Sequence, residues 1–288
     1  MSVDVFQEKI RKTKNPSVLY VEALPDLIPP SVEEGDILDR MRIYFTQVLE
    51  GLKGVVPAVR FGFGSFALLS SKGLSLLNAL MVLARRLGYY VLLDLPELMT
   101  PAASSHAAAL LLAGDEFDFD GVVAGAYAGS DVIAPLRELC KQGKTVFVVA
   151  RTANKSAVEL QDLLAGGRLV HVAAVDLVAR HGDGMIGKCG YSNLGAVAAA
   201  SSSGSLKALR PKYNRVFLLL DGYDYPNSNA KNCSYAFDSL GHGAAVCAGL
   251  SITGAWKENG TDGFAFAEEA VRAVQQIKKN LNRYISIL

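Results

Sequence analysis

Apolar residues along the chain follow two rhythms. Short runs fall at residues 18–23, 55–60, 89–94, 121–125, 145–150, 195–200, 215–220 and 244–248. Each is bounded by turn chemistry and reads as a buried strand. Between them, apolar positions recur at helical spacing. Ile37, Met41, Tyr44, Val48 and Leu52 mark one helix, preceded by a Ser31-x-x-Glu34 capping-box pattern. Leu74, Leu77, Met81 and Ala84 mark a second, which Gly88 stops. Further helices are expected at 6–14, 102–112, 131–142 (stopped by Gly143), after a Ser156-x-x-Glu159 cap, at 169–180 as an extra helix, and at 263–284. Strand and helix alternate about every 30 residues, as parallel βαβ units require. The pattern predicts an α/β protein, a (β/α)8 TIM barrel forming a single domain over residues 1–288. The competing fold is a doubly wound open sheet. It gains nothing from Phe61-Gly62-Phe63-Gly64, which lacks the third glycine of a dinucleotide-binding turn.

Composition narrows the class. The chain has 288 residues, half of them hydrophobic, and an α/β barrel commonly needs about 250. A net charge of +1 with interspersed signs offers nothing to nucleic acid or an anionic membrane. Cys140, Cys189, Cys233 and Cys247 are widely spaced without a C-x-x-C pair, so reduced thiols are expected rather than disulfides or zinc. The polar N-terminal residues lack a signal-peptide core, and no apolar stretch is long enough to span a bilayer. A cytoplasmic protein without cofactor or metal is expected. His106, His171, His181 and His242 show no ligand spacing.

Chemistry is best sought at residues 91–100, where an apolar run ends on Asp94 and empties into a loop. Residues just past a barrel strand point into the active-site mouth. Asp94 is therefore either a ligand contact or a carboxylate that caps backbone amides or pairs with Arg60. Glu97 reads as a solvated loop charge. Arg151 and Thr152 end another strand; an ion pair of Arg151 with Asp94 or Asp221 is the competing reading there. Asp221, Tyr223, Asp224 and Tyr225 crowd the loop after the seventh run, as a neutral or cationic ligand site or as a turn held by Asx hydrogen bonds. Ser65, Ser104 and Ser130 lack a nucleophile-elbow setting.

Local signatures in order along the chain carry a family resemblance. They are Asn15-Pro-Ser-Val, Pro57-Ala-Val-Arg60, Asp120-Gly-Val-Val, Tyr127-Ala-Gly-Ser-Asp131, Val148-Val-Ala-Arg-Thr-Ala-Asn154, Glu159-Leu-Gln-Asp162, Gly190-Tyr-Ser-Asn-Leu-Gly-Ala-Val197 and Asp262-Gly-Phe-Ala-Phe-Ala-Glu268. Together they resemble orotidine 5'-monophosphate decarboxylase, in its longer bacterial subgroup. The resemblance implies a barrel, cofactor-free decarboxylation of a phosphorylated pyrimidine nucleotide, and a homodimer with its sites at the interface. It also implies a lysine after the second strand and an Asp-x-Lys-x-x-Asp run after the third. This chain has Arg60 at the first position. At the run it keeps Asp94 but carries Pro96 for the lysine and Met99 for the second aspartate. Proline has no proton to give, a thioether cannot repel a carboxylate, and a guanidinium is a poor general acid. The family's Leu-Asp-Pro reads Ala23-Leu24-Pro25 here, and its pyrimidine-contacting serine matches Ala153. Its glutamine-bearing glycine loop becomes Tyr223-Asp224-Tyr225-Pro226-Asn227, and its phosphate-gripping arginine matches Leu250. The leading expectation is a family member that has lost decarboxylase chemistry and keeps a structural or regulatory role linked to pyrimidine metabolism. The alternatives are an active decarboxylase of UMP biosynthesis, and a barrel that takes a different, unphosphorylated small molecule at its mouth. Leu95, Leu98 and Met99 are expected to present apolar surface to a dimer partner.

Overall fold

In the computed structural model, which describes residues 2–95, 98–114 and 117–288, eight parallel strands close into a barrel. They are β1 (Ser17–Val21), β2 (Ala58–Gly62), β3 (Tyr90–Leu95), β4 (Gly121–Ala124), β5 (Thr145–Val149), β6 (Leu194–Ala199), β7 (Leu218–Asp221) and β8 (Ala244–Ala248). Neighbours in sequence pair in order, and β8 closes on β1 with Ser17 opposite Val246. Closure rules out the doubly wound open sheet.

A helix, α1 (Ser2–Thr13), precedes the barrel. Then α2 (Ile37–Gly51), α3 (Ser70–Leu87), α4 (Pro101–Ala113), α5 (Ser130–Lys141), α6 (Val170–His181) and α7 (Ser203–Lys212) follow β1 to β6 in turn. Only a short helix, Ala230–Ser234, follows β7, and α8 (Phe266–Leu281) returns after β8. Gly88 ends α3 at φ 89°, a left-handed position that glycine takes without steric cost.

Two local expectations fail. The capping box of α2 is formed by Asp36 and Asp39, not by Ser31 and Glu34. The Ser31 hydroxyl instead donates to the Gly263 carbonyl at 2.8 Å and so anchors the loop to the far end of the chain. Ser156 and Glu159 cap no α-helix. They lie in a 3-10 turn, Lys155–Glu159, followed by a small hairpin pairing Leu164–Ala165 with Arg168–Leu169. The helix expected as an extra one, α6, is the barrel helix of the β5 unit.

Strand side chains alternate between the helices outside and the barrel interior. Val91, Leu93, Val59 and Phe61 pack outward against the helical layer. Tyr90, Leu92, Phe147, Phe217 and Leu219 point inward. At the N-terminal end α1 plugs the barrel: the Phe6 ring stacks on Tyr90 at 4.5 Å and on Phe217 at 5.3 Å. No described helix is long and apolar enough to cross a membrane.

Candidate active site at the barrel mouth

The inward alternation that buries Ala58 on β2, and Tyr90 and Leu92 on β3, carries Arg60 and Asp94 to the C-terminal layer of the interior. Both are only 3% exposed. The Arg60 Nη2 donates to Asp94 Oδ2 at 2.7 Å, and its Nη1 lies 3.4 Å from Asp221 Oδ1. Tyr20 of β1 donates its hydroxyl to the same Asp94 oxygen at 2.9 Å, while its ring lies under the guanidinium at 4.6 Å. Cys247 of β8 completes the floor, its sulfur 3.7 Å from Arg60 Nη1.

Burial pushes the Asp94 carboxyl above its ordinary value, against the opposing pull of Arg60 and the Tyr20 hydroxyl. Burial also works against a charged Arg60, but Asp94 and Asp221 outweigh it and hold the guanidinium ionised. Glu22, half-buried beside them, is raised by burial and by the neighbouring Asp94 charge. The Cys247 thiol is pushed by burial up to about 12, so it is no nucleophile. Two polar atoms of this floor, Arg60 Nε and Asp94 Oδ1, are buried without a hydrogen-bond partner. One arginine thus faces three carboxylates.

Arg151 does not join this group. Its Nε and Nη2 grip both oxygens of Asp162 at 2.9 and 2.8 Å, which corrects the expected pairing with Asp94 or Asp221. The 3-10 turn after β5 folds the chain back and presents Asp162 to Arg151 first. Asp162 is lowered from its usual value chiefly by this hydrogen bonding, against a smaller opposing effect of burial. His171, at the start of α6, sits against the same carboxylate with Nδ1 3.1 Å from Asp162 Oδ1 and 3.0 Å from the Gln161 carbonyl. Its Nε2 is 2.9 Å from the Ser205 hydroxyl of α7. Thr152 is occupied locally, its amide donating to Gln161 Oε1 at 2.8 Å and its hydroxyl lying 2.6 Å from Asn154 Oδ1.

The β7 loop resolves into separate roles. Asp221 faces Arg60 and also accepts from the Gly222 amide at 3.0 Å. Asp224 Oδ2 accepts from the amides of Gly249 at 2.7 Å and Leu250 at 3.1 Å, and Oδ1 from Ser251 at 3.3 Å. Those amides follow β8, where barrel enzymes commonly seat a ligand phosphate. Tyr223 points away from the floor, lining a cavity with Asn280 and Arg283 of the C-terminal region. Gly222 has φ 77°, and a side chain there would collide with the Ala153 methyl, so the loops after β5 and β7 touch across the mouth.

Pro96 and Glu97 lie outside the described residues. Leu95 is buried, Leu98 is half-buried against the core and Met99 is 47% exposed. Met99, Tyr127, Thr152, Leu160 and Ala174 line an apolar cavity of about 470 Å³ between the β4 and β5 loops and α6. Sequence reasoning found Arg60, Asp94 and Asp221. It missed Tyr20 and Glu22, which alternation along β1 placed within reach, and it missed the Asp162–His171–Ser205 chain, whose members carry no spacing signal.

Fold and floor define the class: a (β/α)8 barrel with an ionic cluster at the C-terminal ends of its strands. No family model matches the chain. It is 30% identical over 171 residues to the orotidine 5'-phosphate decarboxylase of Caldicellulosiruptor saccharolyticus, covering 59% of this chain and 55% of that protein. That match therefore spans about half of the relative's length. The orotidine 5'-phosphate decarboxylase of Rhodopirellula baltica is 26% identical over 247 residues, 82% of each chain. Among solved structures, the Plasmodium berghei orotidine 5'-monophosphate decarboxylase superposes with a TM-score of 0.75 at 12% identity, covering 98% of this chain and all of that one. The chain is thus similar to curated orotidine 5'-phosphate decarboxylases in sequence and shares the barrel fold of solved ones.

Proposed function

We propose that this barrel has lost orotidine 5'-phosphate decarboxylation and serves a structural or regulatory role linked to pyrimidine metabolism. The observation that carries the reading is the state of the floor. Arg60, where the resemblance puts a lysine, is a buried guanidinium locked by Asp94 at 2.7 Å. It cannot release a proton to a carbanion near neutral pH. Pro96 and Met99, the positions matching the family's second lysine and second aspartate, supply neither acid nor charge. Asp224 adds a second obstacle, because its carboxylate holds the amides that a nucleotide phosphate would need.

The same reading takes residues 1–288 as one domain, a cytoplasmic homodimer whose contact includes exposed Met99 and Tyr127. Light scattering that finds a monomer at micromolar concentration would remove the dimer. Function is tested by a spectrophotometric decarboxylation assay and by calorimetric titration with uridine 5'-monophosphate. A missing general acid costs a factor of about 100 to 10,000, so turnover should fall far below the ordinary range. Turnover within about 1–1000 per second would mean that the chain is an active decarboxylase.

A further inference from the structure

We propose that Ser205, His171 and Asp162 form a hydrolytic triad at the rim of the mouth, acting on a carboxylic ester with a small, uncharged acyl group. The inference goes beyond the loss of decarboxylation and does not depend on it. The three residues come from the loop after β5 and the first turns of α6 and α7, so they meet on the face where barrel enzymes do chemistry.

The hydrogen bonds fix the roles. His171 Nδ1 faces only acceptors, the Gln161 carbonyl at 3.0 Å and Asp162 Oδ1 at 3.1 Å, so Nδ1 carries the proton. Nε2 is left with its lone pair, and the Ser205 hydroxyl 2.9 Å away donates to it. This is the tautomer that a serine nucleophile requires of its base. Arg151 grips both oxygens of Asp162 and holds the carboxylate in place for the imidazole. His171 is 2% exposed, whereas Ser205 is half-buried and reachable.

The start of α7 supplies a second element. Ser202 makes no side-chain cap, so the first-turn amides of Ser203, Gly204 and Ser205 have no capping side chain. Open space surrounds the position where Gly204 would carry a Cβ. An ester carbonyl approaching Ser205 would meet these amides as its oxygen gains negative charge. The carboxylates of Glu22 and Asp221 at the mouth disfavour an anionic substrate.

In the reaction, Ser205 Oγ bonds to the ester carbon while its proton passes to His171 Nε2. The bond to the alcohol breaks, and the alcohol leaves with that proton. Water then attacks the acyl-serine, gives a proton to Nε2, and releases the acid as Ser205 regains its hydrogen.

The test uses the full chain with an alkyl fluorophosphonate, which forms a phosphorus–oxygen bond to an activated serine and expels fluoride, together with hydrolysis of p-nitrophenyl butyrate. Mass spectrometry should place the adduct on Ser205. Ser205→Ala should abolish it and slow hydrolysis by about 100-fold or more, and His171→Gln should act alike. Ser234→Ala, on the short helix after β7, should change neither. If His171→Gln fails to fold, Ser205→Ala, checked by circular dichroism, decides alone. No adduct at Ser205, an adduct without turnover, or hydrolysis unchanged in Ser205→Ala would overturn the triad and leave these bonds as a tether between α6 and α7.

Discussion

The two ends of the barrel interior are built from the same strands and obey opposite rules. At the N-terminal end Phe6, Tyr90, Phe147 and Phe217 pack ring against ring. Ser2 is matched to the Tyr90 hydroxyl at 2.7 Å and the Val3 amide to Asn193 at 3.0 Å, while Gln7 Nε2 of α1 is buried without a hydrogen-bond partner. At the C-terminal end one arginine is held among Asp94, Asp221 and Glu22, with Arg60 Nε and Asp94 Oδ1 left unpaired in the interior. Apolar packing is favourable wherever surface leaves water. A buried ion pair roughly recovers what its desolvation costs. The plugged end therefore accounts for stability, and the charged end persists for a reason other than stability.

The largest test of this contrast is Phe6→Ala, which should cost about 3–5 kcal/mol in urea unfolding by removing the ring that plugs the barrel. A loss under about 1 kcal/mol would mean that α1 is not part of the cooperative core.

At the other end, Arg60→Met should cost about 3 kcal/mol, because Asp94 is left buried without its cation. Adding Asp94→Leu should recover much of that loss, although Tyr20 and Asp221 also lose a partner. A double variant no more stable than Arg60→Met would place the ionic floor among the stabilising elements and erase the contrast.

The smallest effect separates the floor from the rim. Asp162 lies below its ordinary value in the folded chain, so its contribution is present above the unfolded value of about 3.9 and is lost as pH falls through the lower folded value. Between pH 6 and pH 3, unfolding free energy should therefore fall less in Asp162→Asn than in the parent. Equal slopes would show that Arg151 and Asp162 are not coupled in solution.

What could be read from the chain follows from what local chemistry constrains. Short apolar runs bounded by turn residues located every barrel strand to within a few residues, because a strand buried on both faces cannot hide its apolar content. Gly88 and Gly143 marked helix ends, because both adopt positive φ. The same reasoning failed at Ser31 and Ser156, since a capping pattern says that a hydroxyl can accept an amide, not which partner is nearest once the loop has folded.

The site divides along the same line. By itself the sequence determined that Arg60, Asp94 and Asp221 stand at strand ends, and strand-end position in a barrel means convergence. Only the tertiary structure decided that Arg151 turns to Asp162, that Asp224 takes the amides after β8, and that Ser205 meets His171. Those contacts join residues brought together by loop path and helix packing. A hydrogen bond forms with whichever partner stands within about 3 Å, and no periodicity along the chain encodes that distance.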